Sequence, residues 1–300
     1  MPTPVVIEAA INGVTTPDAN PHVPRSPAEI AAEAERCFAA GAAIVHNHNA
    51  EFAVDAARAA ALYAEAWRPV LARRPDALFY PTVGFGPTIE EKYAHVPILA
   101  ESGGLRIGLV DPGSVNLGGA DEEGLPADVD FVYVNSFHDI RHEMGLCARH
   151  HLGPSLSIFE PGFLRAALAY HRVGRLPPGA LVKLYFGGDQ GYLGGSRPGV
   201  TFGLPPTRPS LEAYLAMLEG SGLPWSVAVL GGDVVESGLA RLALERGGHL
   251  RVGLEDHAGS RTPGNEELVR EAAALAAAVG RPVATCAEAA RLLGIPRAAA

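Results

Sequence analysis

Cysteine is scarce and solitary: Cys37, Cys147 and Cys286 lie far apart and are odd in number. Unpaired thiols at such spacing suit a reducing compartment, and without a CxxC pair there is no thiolate metal site. Long apolar runs are also missing. No stretch reaches the roughly 18 residues that a membrane helix needs. The opening MPTPVVIEAAING lacks the basic region and apolar core of an export signal, so a cytoplasmic location is the expectation. Positive charge is short as well, with 24 Lys and Arg against 33 Asp and Glu and a net charge of -9. With no basic cluster to displace counterions from phosphates, nucleic acid is excluded as a partner.

What remains is a globular composition, 48% hydrophobic and 19% charged over 300 residues. Short β-branched and apolar runs alternate with stretches rich in Ala, Glu and Arg, the pattern of repeated β-α units. Strands are expected at Val5–Ala10, Ala43–His48, Leu78–Thr82, Leu105–Val110, Phe131–Asn135, Ser155–Phe159, Leu181–Phe186, Ser226–Leu230 and Leu250–Leu254. Helices are expected from Pro27 to Ala40 after the cap Ser26, then Ala53 to Ala72, Asp139 to His150 and Gly162 to His171. Further helices are expected at Ser210 to Glu219, Asp233 to Arg246, Asn265 to Val279 and Ala287 to Leu293.

The chain length suits one α/β barrel, which takes roughly 250 residues, but the strands number one too many for it. Phe131–Asn135 is the one set outside. It follows Val115–Leu117 across a Gly- and Asp-rich turn with no room for a crossover helix, so the two pair as a hairpin. The expected fold is therefore α/β: a single (β/α)8 TIM barrel spanning residues 1–300, with a hairpin extension after strand 4 and a C-terminal helical extension. The Gly- and Pro-rich segment from Gly187 to Pro209 reads as a long βα loop, of the length that usually serves function.

Val45-His46-Asn47-His48 is the strongest chemical signal. Alternation along a strand puts both imidazoles on one face, and at the C-terminal end of a barrel strand that face looks into the active-site mouth. The run Arg251-Val252-Gly253-Leu254-Glu255-Asp256 supplies a third ligand. Read as a continuing strand, it puts Arg251, Gly253 and Glu255 on one face, with Gly253 leaving ligand space above Arg251. Two His and a carboxylate with an open position form a ligand set seen in catalytic zinc sites.

Several segments resemble the β-keto acid cleavage enzymes, the family that includes 3-keto-5-aminohexanoate cleavage enzyme. They are Ala10–Pro24, Ser26–His48, Pro112–Leu117 (PGSVNL), Val132–Ile140, Pro154–Gly162, Trp225–Ala228, Gly247–His257 (GGHLRVGLEDH) and, at the end, Asn265–Leu293. The resemblance covers nearly the whole chain. It implies a zinc-containing (β/α)8 barrel, a homotetramer, that uses acetyl-CoA as co-substrate to cleave a β-keto acid into acetoacetate and a new CoA thioester. It also implies that His46, His48 and Glu255 hold Zn2+ and that Arg251 and Asp256 are the catalytic pair, with Asp256 as the base.

Departures from the family bear on substrate. Where amino-keto acid cleavers are similar in holding an ammonium with glutamates, this chain has Thr15 and Ser157, which implies a non-cationic substrate. The family's Ser-Thr-Gly-Gly carboxylate cradle is Pro81-Thr82-Val83-Gly84 here, leaving Thr82 and Gly84 as substrate contacts. Leu109 and Asp111 stand where the family resembles itself in carrying a Thr and a neutral residue, and Glu160 ends the fifth barrel strand as a further polar contact. The competing readings are an amidohydrolase-type zinc hydrolase, which would need His ligands on the middle strands, and a metal- or metabolite-binding barrel without turnover.

Overall fold

Ten strands and ten helices follow one another in the computed structural model, which describes residues 2–51, 53–190, 199 and 202–297. The strands are β1 (Ile7–Ala10), β2 (Ile44–Asn47), β3 (Leu78–Pro81), β4 (Ile107–Val110), β5 (Val115–Asn116), β6 (Val132–Tyr133), β7 (Gly153–Ile158), β8 (Leu181–Gly187), β9 (Trp225–Leu230) and β10 (His249–Val252). The helices are α1 (Pro27–Ala40), α2 (Ala56–Arg73), α3 (Ile89–Lys92), α4 (His95–Glu101), α5 (Phe137–Arg149), α6 (Pro161–Arg172), α7 (Arg208–Leu218), α8 (Leu239–Glu245), α9 (Asn265–Ala278) and α10 (Cys286–Leu293).

Eight strands form one parallel sheet in the order β3-β2-β1-β10-β9-β8-β7-β4. Its two ends, β3 and β4, lie against each other without ladder hydrogen bonds, so the sheet curls into a nearly closed TIM barrel. Parallel strands covered by helices on one side and filled on the other must be apolar on both faces. Runs such as Ile44-Val45 and Leu181-Val182 obey this and are fully buried. Among the exceptions, Glu8, His46, Lys183 and Arg251 are buried charged or ionisable residues inside otherwise apolar strands. They mark the barrel interior, where the site is built.

The hairpin expected outside the barrel is present, with β5 and β6 antiparallel and Val115 opposite Tyr133. α1 begins at a full capping box, the Ser26 hydroxyl accepting from the Glu29 amide and the Glu29 carboxylate from Ser26, and it ends at Gly41 with φ 118°. Several boundaries differ from the sequence expectation. α2 starts at Ala56, because the Asp55 side chain caps it by accepting from Arg58. α8 starts at Leu239, since the Asp233 carboxylate accepts from the Val235 and Glu236 amides and holds that stretch in a turn. α3 and α4 occupy the segment between β3 and β4, where no helix is expected from the sequence. Much of the long loop after β8, residues 191–198, 200 and 201, lies outside the described residues.

Candidate metal centre and active-site cavity

The end of β2 carries the two imidazoles. His46 is stacked on Tyr80 of β3, with ring centroids 4.3 Å apart, and its Nδ1 lies 3.1 Å from the Tyr80 carbonyl. Only a protonated Nδ1 can make that bond, so the Nε2 lone pair is left free to ligate. Burial pulls the ring down to about 4, against the pull of Glu255, so it is neutral at physiological pH. His48 is fixed through its backbone: the Asn12 side chain accepts from its amide at 2.8 Å and donates to its carbonyl at 3.0 Å.

Glu255 arrives by a route that strand alternation does not describe. β10 stops at Val252, and Gly253, with φ 136°, turns the chain. A Cβ on Gly253 would sit 2.1 Å from the Ala10 carbonyl oxygen, so this glycine serves a close backbone approach to β1 rather than opening room for a ligand. The turn brings Glu255 Oε2 to 3.2 Å from His46 Nε2 and Glu255 Oε1 to 3.5 Å from His48 Nε2. Gly13, on the loop after β1, packs so closely on Glu255 that a Cβ would meet its Cγ at 2.3 Å. Ligand atoms of the three residues all lie within 4.8 Å of one another. Burial alone would raise the Glu255 carboxyl, but Arg251 and the imidazoles hold it well below the usual carboxylate range.

Arg251, on β10 and 1% exposed, is fully engaged. Its Nε and one terminal nitrogen grip Asp256 at 2.7 and 3.0 Å, and that second nitrogen also reaches Glu255 at 3.0 Å. The other terminal nitrogen donates to Glu8 at 2.7 Å and Tyr80 Oη at 3.0 Å. Five N–H groups meet five acceptors, the bidentate geometry for which a guanidinium is suited. Burial lifts the Asp256 carboxyl to about 6 despite the guanidinium beside it. Tyr80 Oη in turn donates to Glu8 and accepts from Lys183 Nζ, the latter at 2.7 Å. Glu8, Asp111, Glu255 and Asp256 together outweigh Arg251 and Lys183, an excess of buried negative charge that a divalent cation at His46, His48 and Glu255 would neutralise. The donor set, the free Nε2 and the charge balance all fit such an ion.

Above this floor opens a cavity of about 250 Å³. His46, His48, Glu255, Arg251 and Lys183 lie at its base, with Val14, Leu109, Leu117, Phe131, Phe159 and Leu230 along its walls. The hairpin contributes Tyr133, whose hydroxyl donates to Asp111, and whose ring stands 6.2 Å from Phe159. A second cleft of about 10 Å³ lies behind Arg251, lined by Asp256, His257 and Asp233.

The chain and its fold have counterparts among known proteins. Residues 4–295 match the beta-keto acid cleavage enzyme family. The chain belongs to that family. It is 27% identical over 300 residues to the 3-keto-5-aminohexanoate cleavage enzyme of Fusobacterium nucleatum subsp. nucleatum, covering 98% of each chain. It is 26% identical over 304 residues to the 3-oxoadipate:acetyl-CoA acetyltransferase of Cupriavidus necator, covering 99% of this chain and 96% of that one. Among solved structures, the binary complex of ObcA with oxaloacetate superposes with a TM-score of 0.67 at 18% identity, over 92% of this chain and 68% of the other, which supports the barrel fold.

This beta-keto acid cleavage family member is thus an enzyme whose sequence-expected ligands, His46, His48 and Glu255, come together in space. Arg251, Thr82, Gly84 and Asp111 line the same cavity. Asp256 stands behind Arg251 on the smaller cleft. Glu160 is held apart: its carboxylate accepts from the Gly203 amide at 2.7 Å and anchors the end of the long loop. Thr15 also turns away, its hydroxyl donating to the Leu254 carbonyl at 2.5 Å. Sequence reasoning passes over Glu8, Asn12, Tyr80 and Lys183. The available signal is a charged residue inside an apolar strand, as in Leu181-Val182-Lys183-Leu184. No His stands in the middle strands β7 and β8, in contrast to what an amidohydrolase-type site needs.

Proposed function

We propose that this enzyme cleaves a short, non-cationic β-keto acid with acetyl-CoA as co-substrate, releasing acetoacetate and the CoA thioester of the remaining acyl group. The observation that carries this reading is the His46, His48, Glu255 cluster at the floor of a mostly apolar cavity, with the Arg251–Asp256 pair beside it. We assign zinc to that cluster, since neutral imidazoles and one carboxylate form a catalytic zinc set. When bound, the ion supplies a Lewis acid that draws charge onto the keto oxygen and acidifies the carbon between the two carbonyls.

The chain's own groups supply the rest. Asp256, lifted to about 6 and held by two N–H groups of Arg251, has the basicity to take that carbon's proton. Because Arg251 stands between Asp256 and the cavity, the transfer runs through one water or a side-chain rotation on substrate binding. The carbanion attacks the acetyl-CoA carbonyl and expels the CoA thiolate. That thiolate then attacks the original keto carbon and breaks the carbon–carbon bond, giving the new thioester and the carbanion of acetoacetate, which takes back the proton held by Asp256. Thr82 and Gly84 contact the acid end, and Asp111, which accepts from Tyr133, borders the same cavity. A cationic substrate finds little support: Thr15 faces away, and Asp111 is already taken up by Tyr133. Apolar walls, with the hairpin's Phe131 and Tyr133 among them, limit the water that surrounds the reactive carbanion.

The test is direct. Metal-loaded protein incubated with acetyl-CoA and a panel of β-keto acids should form acetoacetate and one new acyl-CoA in equal amounts, read by mass spectrometry. His46→Ala should lose both bound metal and product. Acetoacetate formation by a metal-free His46→Ala protein, or none by the wild type with any acid, would overturn the reading.

A further inference from the structure

An anion entering the cavity needs donors, and most of those present are already committed. All five N–H groups of Arg251 meet carboxylates or Tyr80. The Gly84 amide donates to the Lys92 carbonyl at 2.8 Å, and the Thr82 amide to Tyr63 Oη at 3.2 Å. Lys183 differs. Its side chain is 1% exposed, it lines the cavity floor, and among the described residues its ammonium has one hydrogen-bond acceptor, Tyr80 Oη at 2.7 Å. Glu8 Oε1 lies at 3.7 Å, beyond hydrogen-bond reach. An ammonium carries three donors, so two N–H groups are left without an acceptor in a buried place, a costly arrangement unless a ligand completes it.

The ammonium is also fixed in position. It stands 4.8 Å from the centroid of the Tyr80 ring and 5.7 Å from that of Tyr185. The Tyr80 hydroxyl and the neighbouring Tyr185 ring leave the cation little freedom to swing away. Because Tyr80 is the ring on which His46 stacks, the ammonium sits beside the metal cluster rather than at the cavity rim.

We propose that Lys183 is the specificity-determining residue that binds the substrate's carboxylate, its two spare N–H groups and the Thr82 hydroxyl taking the anion while the keto group faces the metal cluster. The assignment deepens the β-keto acid reading and rests on it. It means that the acid itself is the substrate, and that esters, amides and neutral diketones of the same shape are rejected. Such discrimination follows from burial, since a neutral ligand would leave the cation without its partner.

Calorimetric binding of acetoacetate and of acetoacetamide, its neutral counterpart, to the metal-loaded protein tests this. The wild type should favour the acid by about 10–100-fold, the range expected for a charge-assisted bond. Lys183→Met, which removes the charge, should bind the two within about twofold of each other, with metal content unchanged. Lys183→Gln, which keeps a donor for Tyr80, should do the same and guards against a Met variant that fails to fold. A retained acid preference in either folded variant, or no preference in the wild type, overturns the proposal. The two readings also separate. A preference that vanishes with Lys183 while no β-keto acid yields acetoacetate supports the lysine and removes the cleavage reaction. Turnover with an unchanged preference does the reverse.

Discussion

Asp256 presents the sharpest question of any single residue, because its carboxylate is close to the chemistry yet screened from the cavity by Arg251. Asp256→Asn keeps the shape and one acceptor while removing the base. We expect kcat to fall by about 10²–10⁴-fold with metal content and acid binding unchanged. Rapid-mixing kinetics together with metal analysis checks this, and a kcat within a fewfold of wild type would assign the proton to another group. Arg251 should not tolerate conversion to Lys, since a single ammonium cannot satisfy Asp256, Glu255, Glu8 and Tyr80 together.

At the scale of elements, the β5–β6 hairpin acts on the cavity through one hydroxyl. Tyr133 donates to Asp111, whose carboxyl burial raises while Tyr133 and Ser157 oppose that rise. Tyr133→Phe keeps the ring against Phe159 and strips the donor. The expected loss is about 1–3 kcal/mol of stability, read as a drop in thermal midpoint, and Asp111→Asn in the same chain should recover part of it. An unchanged midpoint would mean that the hairpin is not coupled to β4. The same elements show what a sequence discloses. The His46-x-His48 strand and the Glu255-Asp256 turn are legible because their chemistry lies within a few residues. Glu8, Tyr80 and Lys183 are not, because their partners lie 72, 103 and 243 positions away and only barrel closure joins them. α3 and α4 escape notice because four and seven residues, with Pro97 inside the second, are too short for a helical period to emerge. Gly253 is misread as part of a strand because a positive φ leaves no mark in the residue pattern beyond the glycine itself.

For the molecule as a whole, acid should be the weak side. The His95 and His249 rings, both buried, are pulled down to about 4 by desolvation. His249 uses its Nδ1 to accept from the Val6 amide at 3.1 Å, a bond that only the unprotonated nitrogen makes, and it ties β10 to the lead-in of β1. With folded values below the ordinary 6.5, these groups contribute fully above that pH, and their contribution is lost as pH falls from 6.5 towards 4. Each imidazole accounts for about 3 kcal/mol across that interval. Thermal melts between pH 8 and 4 should show the decline, and His249→Asn, which keeps an acceptor but does not titrate, should flatten it. An equally steep decline in that variant would place the acid sensitivity elsewhere.

The sheet order has a consequence for how such an enzyme diversifies. β2, β1 and β10 are contiguous, and His46, His48, Glu255 and Arg251 lie on them or on the segments that directly follow them, whereas Leu109, Ser157 and the hairpin rise from the opposite arc of the barrel. The candidate metal cluster and one wall of the cavity therefore belong to separate arcs of one ring. Drift in that wall can reshape the cavity while leaving His46, His48, Glu255 and Arg251 where they stand.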